Sequence, residues 1–335
     1  MREIGSEFSK ISSDNCEGLQ AILEGYSVFS GRTAIETVLK ELPLAKKALL
    51  PSYCCESMIV PFRKIGIAVD FYNVYYDNGM HFNINITDDV DIFVWCNYFG
   101  FRNEMPDLTS FKERGGIVIE DITHSYLSEK QYHEQADYLV ASIRKWEPIY
   151  CGGYCASMNG ILHHLPCTKP SKEFIANKRT AMQLKSVYLC NHDESLKIEF
   201  LRLFRESNSW LAENYSGLLI DSCSKQYLTT VDIDGQKRIR RNNATVLYEG
   251  LKNKVQFIFS ITDMDCPLFV PILLPQIRDD IRKYLTSNSI YCPIHWPKPQ
   301  GCESNLYNME LSLICDQRYS AEDMERIVAV LNDVI

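Results

Sequence analysis

Two short stretches of the 335-residue chain carry most of its chemical potential. Glu120-Asp121-Ile122-Thr123-His124 follows the apolar run Ile117-Val118-Ile119, and Ser142-Ile143-Arg144-Lys145 follows Tyr138-Leu139-Val140-Ala141, ahead of Gly152-Gly153. A carboxylate and a lysine, each just past a buried strand, suit the two anchors of a pyridoxal phosphate site. The carboxylate keeps a pyridine nitrogen protonated so that the ring can accept electrons, and the lysine amine holds the aldehyde as a Schiff base. Ser142, three residues before Lys145, can reach a phosphate, and Ser30-Gly31-Arg32-Thr33-Ala34 has the look of a helix start, where free N–H groups and the helix dipole favour an anion.

Such groups meet only if the surrounding elements bring them to one edge. Ile92-Phe93-Val94-Trp95-Cys96, Ile117-Val118-Ile119 and Tyr138-Leu139-Val140-Ala141 are continuous apolar runs, the pattern of strands buried on both faces of a parallel sheet. Helical spacing over residues 30–39, from Cys55 to the stop at Gly66, and from Asp107 to the Gly115-Gly116 pair alternates with them. This rhythm predicts an α/β fold whose parallel strands deliver Asp121 and Lys145 to their shared carboxyl edge. After residue 165 the rhythm changes to helices over 172–189, 194–214 and 237–250. A small α+β unit follows, with strands at 268–273, 290–295 and 310–313 and a last helix opened by Ser320-Ala321-Glu322-Asp323, a capping box with Asp in the usual Glu place. The expected division is a large domain over 1–235, including residues 1–28, and a small C-terminal domain over 236–335.

The bulk properties are those of an ordinary globular protein, with 46% hydrophobic and 23% charged residues. A formal charge of −8 argues against nucleic acid or an anionic membrane surface as a partner, and the basic run Lys237-Arg238-Ile239-Arg240-Arg241 is too short to reverse that. No segment reads as a signal peptide or a bilayer span, so a cytoplasmic protein is expected. The thirteen cysteines are scattered, without the spacing of a metal site or a disulfide framework, and read as reduced, buried thiols.

Taken singly, each candidate has a plainer role. An Asp at a strand end caps a turn, a Lys after a strand is a solvated charge, Ser-Gly before a helix is a cap, and Gly-Gly is a turn. Their order along the chain is what points to a cofactor. That order, with Phe29-Ser30-Gly31-Arg32-Thr33-Ala34-Ile35, Leu50-Pro51-Ser52-Tyr53, Tyr98-Phe99-Gly100 and Pro293-Ile294-His295-Trp296-Pro297, resembles the DegT/DnrJ/StrS family of fold type I sugar aminotransferases over about residues 29–316.

The resemblance implies a pyridoxal-phosphate-dependent aminotransferase. Lys145 would be the Schiff-base lysine and proton carrier, Asp121 the partner of the pyridinium nitrogen, and His124 a neighbour of the ring's phenolic oxygen. Gly31, Arg32, Thr33 and Ser142 would hold the phosphate, with Asn177 reaching the phosphate of a partner subunit in a homodimer. Tyr53, Asn97 and His295 would face the substrate. The amino donor would be an amino acid, glutamate foremost, and the acceptor a nucleotide-linked keto sugar. Lysine at 145 favours transamination over the related sugar dehydratases, which carry histidine there. Two departures stand out. Arg32, able to bind the phosphate as a charged fork or to point toward an acidic substrate, follows the first glycine where Thr or Ser is usual, and Cys55 occupies the place of an aromatic residue that stacks on the cofactor. They leave open a non-sugar ketone, or a silent binding or regulatory subunit.

Overall fold

The computed structural model describes residues 2–9, 25–101, 103–129 and 132–335. The chain runs β1 (Ile4–Gly5), β2 (Tyr26–Val28), α1 (Gly31–Lys40), β3 (Lys47–Pro51), α2 (Glu56–Ile65), β4 (Ala68–Tyr76), β5 (Met80–Asn83), β6 (Ile92–Cys96), α3 (Thr109–Glu113), β7 (Ile117–Asp121), β8 (Tyr138–Ala141) and β9 (Gly153–Ser157). It continues through α4 (Lys172–Asn191), α5 (Glu194–Glu213), α6 (Ser222–Leu228), α7 (Ile233–Leu251), β10 (Gln256–Phe257), β11 (Val270–Leu273), α8 (Arg278–Ser287), β12 (Ile290–Tyr291), α9 (Leu306–Met309), β13 (Glu310–Leu313) and α10 (Ala321–Asn332).

Eight strands form the main sheet in the order β2-β9-β8-β7-β6-β3-β4-β5. The central five, β8, β7, β6, β3 and β4, pair in parallel, whereas β5, β9 and β2 are antiparallel edges. The apolar runs explain the middle of this order, since Leu49, Phe93, Val118 and Leu139 are buried and cannot face water on either side. The fold is therefore the α/β architecture expected from the sequence, with a mainly parallel sheet. Local signals set the helix ends. The Ser30 hydroxyl caps α1 by accepting from the Thr33 amide, Gly66 closes α2 in the left-handed region at φ 90°, and Ser320 with Asp323 forms the expected capping box of α10.

The smaller unit has its own core. Strands β10, β11 and β13 form an antiparallel sheet, and Leu247, Leu251, Ile272, Leu285, Leu313, Ile327 and Leu331 are buried together between it and its helices. Ile4 lies in this core as well, because β1 pairs in parallel with β12. Ile4 and Gly5 thus join the C-terminal unit, while Glu3, Glu7 and Phe8 on either side contact residues of α4 and α5. The expected boundary at 235/236 falls in the first turn of α7, which begins at Ile233 because the Asp232 carboxylate caps the Gly235 amide. The expected strand at 290–295 is confined to Ile290–Tyr291.

Of the Gly152-Gly153 pair, Gly153 is the first residue of β9 and Gly152 precedes it. A Cβ at Gly153 would overlap the Ser30 carbonyl, so glycine lets this edge strand lie against the start of α1. Among the described residues, no helix is long and apolar enough to cross a membrane.

Candidate active site

The sheet delivers two groups to one edge. Asp121 is the last residue of β7, and the chain leaving the neighbouring strand β8 makes one tight turn over Ile143–Lys145, which presents Lys145 beside it. Thr123 ties the two strand ends together. Its amide donates to Asp121 Oδ1 at 2.8 Å, and its Oγ1 accepts from the Ser142 amide at 2.9 Å. Its carbonyl accepts from Trp146 Nε1 at 2.6 Å, which pins the residue just after the lysine in the core. On the other side, α1 starts so close to Ser142 that a Cβ on Gly31 would come within 3.0 Å of the serine Cβ. The free amides of that helix start therefore look onto the same space.

Between these elements lies a cavity of about 130 Å³, whose lining includes Gly31, Arg32, Cys55, Asp121, Ser142 and Lys145. Six of the residues expected to hold the cofactor thus meet around one hollow. A second cavity, of about 530 Å³, opens on the other side of Arg144 and Lys145, towards Phe269, Pro293 and Arg318 of the smaller unit. The lysine stands at the junction.

Electrostatics set the states of these groups. Burial pushes the Asp121 carboxyl above the ordinary 3.8, against the hydrogen bonds from Thr123 and the nearby Lys145 charge. Burial, then the charge of Lys145, then His295, hold His124 well below the ordinary histidine value, so its imidazole is neutral. The Phe99 amide donates to His124 Nδ1 at 3.0 Å, which leaves the ring proton on Nε2. Phe99 is held for this in the left-handed region, at φ 59°. Nε2 lies 3.0 Å from Lys145 Nζ, within hydrogen-bond distance of the amine. Nζ also sits 5.6 Å from the centre of the Trp296 ring.

The structure sets the remaining sequence-predicted residues elsewhere. Thr33 is fully buried; its amide is taken by Ser30 Oγ and its hydroxyl by the Tyr215 carbonyl, so it stands behind the cavity and has no donor left for a phosphate. Tyr53 is buried among Tyr98, Trp296 and Tyr307, and Asn97 is buried with its amide donating to Glu120 at 2.7 Å. Both are core groups without access to either cavity. His295 is buried too, with Nδ1 at 2.9 Å from Ser312 Oγ and its ring edge-on to His124. It supports His124 from behind. Asn177 is half-buried on α4 and lines neither cavity.

Against known proteins, no family model and no curated sequence matches the chain. Solved structures do. A DegT DnrJ EryC1 StrS aminotransferase from Brucella abortus superposes with a TM-score of 0.60 at 14% identity, over 92% of this chain and 85% of the other. The chain has the fold of these aminotransferases. DesV of S. venezuelae, solved in complex with a ketimine intermediate, matches with a TM-score of 0.60 at 14% identity over 99% of this chain and 90% of its own. DesI, solved in the presence of its TDP-sugar product, matches with a TM-score of 0.61 at 13% identity over 92% and 80%.

Three residues at or near Lys145 escaped the sequence reading. Arg144 lines both cavities, Thr123 bridges the strand ends, and Trp296 faces Lys145. Arg144 and Thr123 lie inside the very stretches that drew attention, but a lone cation or hydroxyl in a loop carries no signal until its neighbours are known. Trp296 comes from a segment about 150 positions downstream, and only the tertiary fold brings it near.

Proposed function

We propose that the protein is a pyridoxal-phosphate-dependent aminotransferase that moves an amino group from an amino acid, foremost glutamate, to a keto group of a nucleotide-linked sugar. The observation that carries this reading is the meeting of Asp121, Lys145, Ser142 and the start of α1 around one cavity. The donor set there fits the cofactor. It offers an amine for an aldehyde, a desolvated carboxylate for a ring cation, and a serine, helix amides and arginine for a phosphate. Bound in this cavity, pyridoxal phosphate would supply a ring able to withdraw electrons from the carbon bearing the amino group.

The chain's own residues would do the rest. Asp121 would receive the N–H of the ring nitrogen, and its desolvation makes a cationic partner worth more there than in water. Lys145 would bind the aldehyde carbon and, once displaced by the donor's amino group, would move a proton at the donor's α-carbon through Nζ. His124 would hold Nζ in place from its Nε2, and Thr123 would keep the carboxylate and the lysine turn in register. The larger cavity on the far side of Lys145 has the position and size to admit a substrate. The TDP-sugar seen with DesI supports a nucleotide sugar as the acceptor class. The family resemblance implies a site shared between subunits, which would make the protein a homodimer with Asn177 turned towards the partner, acting in the cytoplasm.

Adding pyridoxal phosphate to the apoprotein should produce a visible absorbance band that Lys145→Ala abolishes, along with at least about a thousandfold of the turnover. Glutamate should bleach the band and a nucleotide keto sugar should restore it. A wild-type protein that forms no such band refutes the cofactor reading, and a band that no nucleotide sugar restores refutes the acceptor.

A further inference from the structure

The small cavity holds more positive charge than the sequence assigned to it. Arg32 and Arg144 both line it, one at the start of α1 and one immediately before Lys145, and the Nε of each is buried with no hydrogen-bond partner. Neither guanidinium is joined to a carboxylate by an ion pair among the described residues. Burial depresses the Arg32 guanidinium first, and the charge of Arg144 is a further repulsive contribution beside the opposing thiol of Cys55. The carboxylate of Glu7 lies within the field of Arg144, but Lys178 is its stronger partner. Two like charges with unused donors beside one hollow leave a deficit that an anion placed between them would make good.

The position says which anion. The two arginines flank the free amides of the ten-residue helix α1 and the Ser142 loop, on the cavity that also holds Lys145. A phosphate monoester carries close to two negative charges and three acceptor oxygens near neutral pH, and a guanidinium offers paired donors that match two of them. We infer that Arg144 and Arg32 form a two-guanidinium clamp on the phosphate of the cofactor, so that the anion is neutralised from within one chain. This rests on the cofactor reading above and adds to it a binding residue, Arg144. It also accounts for arginine at position 32, where the resemblance leads one to expect a hydroxyl residue. The clamp replaces, with charge, the hydrogen bonds that the committed Thr33 can no longer give.

The clamp is tested by comparing two ligands that share the ring and the aldehyde but differ in the phosphate. Apoprotein is titrated with pyridoxal 5′-phosphate and with pyridoxal, following absorbance. Arg144→Met and Arg32→Met should each weaken the phosphate ester by about tenfold to a hundredfold, the worth of a charged hydrogen bond, and leave pyridoxal unchanged. Arg144→Lys, which keeps the charge and loses the fork, should fall between. Unchanged affinity for the ester in Arg144→Met, or equal losses for both ligands, would overturn the clamp. Should Arg144→Met not fold, an unaltered preference in Arg144→Lys overturns it as well. A wild-type protein that binds neither ligand points instead to failure of the cofactor reading itself.

Discussion

Asp121 and Asp316 are both carboxylates in desolvated surroundings, and the chain treats them in opposite ways. At Asp316, burial pushes the carboxyl upward, but the Arg318 guanidinium outweighs it. Nε donates to Oδ1 at 2.8 Å and Nη2 to Oδ2 at 2.7 Å, and the net result lies below the ordinary 3.8. At Asp121 the hydrogen bonds from the described residues come from Thr123, the Lys145 charge contributes less, and burial wins. The first aspartate is complete within the fold; the second is left wanting a cation. A native protein keeps such a deficit where a ligand makes it good, and the unpartnered Nε atoms of Arg32 and Arg144 beside Asp121 are the same deficit with the opposite sign. The cavity therefore presents a carboxylate for a cation and guanidinium donors for an anion, complements to the two charges of a zwitterionic ligand.

Replacing each aspartate by asparagine should separate these roles. Asp121→Asn should cost roughly a hundredfold in transamination, because a neutral amide cannot hold the ring nitrogen protonated, and it should leave the stability of the apoprotein unchanged or slightly raised. Asp316→Asn should do the reverse. It leaves the Arg318 charge in a largely buried site and should destabilise the fold by about 3 kcal/mol in denaturant titrations, with cofactor affinity close to wild type. If both variants lose stability equally, the contrast between a completed and an incomplete carboxylate is wrong.

The pH dependence of the apoprotein sharpens the contrast through its sign. The folded-state value of Asp316 lies below the ordinary 3.8, so its contribution to stability is fully present above 3.8 and is lost as pH falls through the lower folded value. That of Asp121 lies above 3.8, so between 3.8 and the raised value the folded state binds the extra proton and stability falls as pH rises. Stability measured against pH should lose its downward limb just above 3.8 in Asp121→Asn, and its acid-side limb below 3.8 in Asp316→Asn. Saturation with pyridoxal phosphate should also remove the first limb, because a ring cation then stabilises the charged carboxylate.

The parts that were legible in the sequence are those set by short-range rules. Buried apolar runs place β6, β7 and β8 side by side, Ser30 and Gly66 mark helix ends, and Asp121, Ser142 and Lys145 follow from where those strands stop. Less visible were features that depend on contact between distant segments. Nothing in Ile4-Gly5 announces that it pairs with Ile290-Tyr291, and Gly153 looks like a turn until Ser30 lies against it. The resemblance points to Asn97 and His295 as residues facing the substrate. In the structure both are buried, with Glu120 and Ser312 as hydrogen-bond partners. Polarity near a strand end does not tell a ligand-binding group from a satisfied one; its partners do, and they come from other segments.

The smallest effect concerns how the two strand ends are held in register. Thr123 serves Asp121 with its amide, which any residue supplies, and Ser142 with its Oγ1, which valine lacks. Thr123→Val keeps the branched shape and leaves the Ser142 amide without its acceptor, a loss of about 1–2 kcal/mol for a partly buried donor. Because Ser142 opens the turn that carries Lys145, the strain should appear at the lysine rather than at the carboxylate. The variant should bind pyridoxal phosphate several-fold more weakly and form the lysine adduct more slowly, with the pH limb assigned to Asp121 unmoved. Thr123→Ser, which restores the acceptor, should recover both. A Thr123→Val protein with wild-type adduct formation would show that the turn is held by Trp146 alone, whose indole donates to the Thr123 carbonyl in either variant.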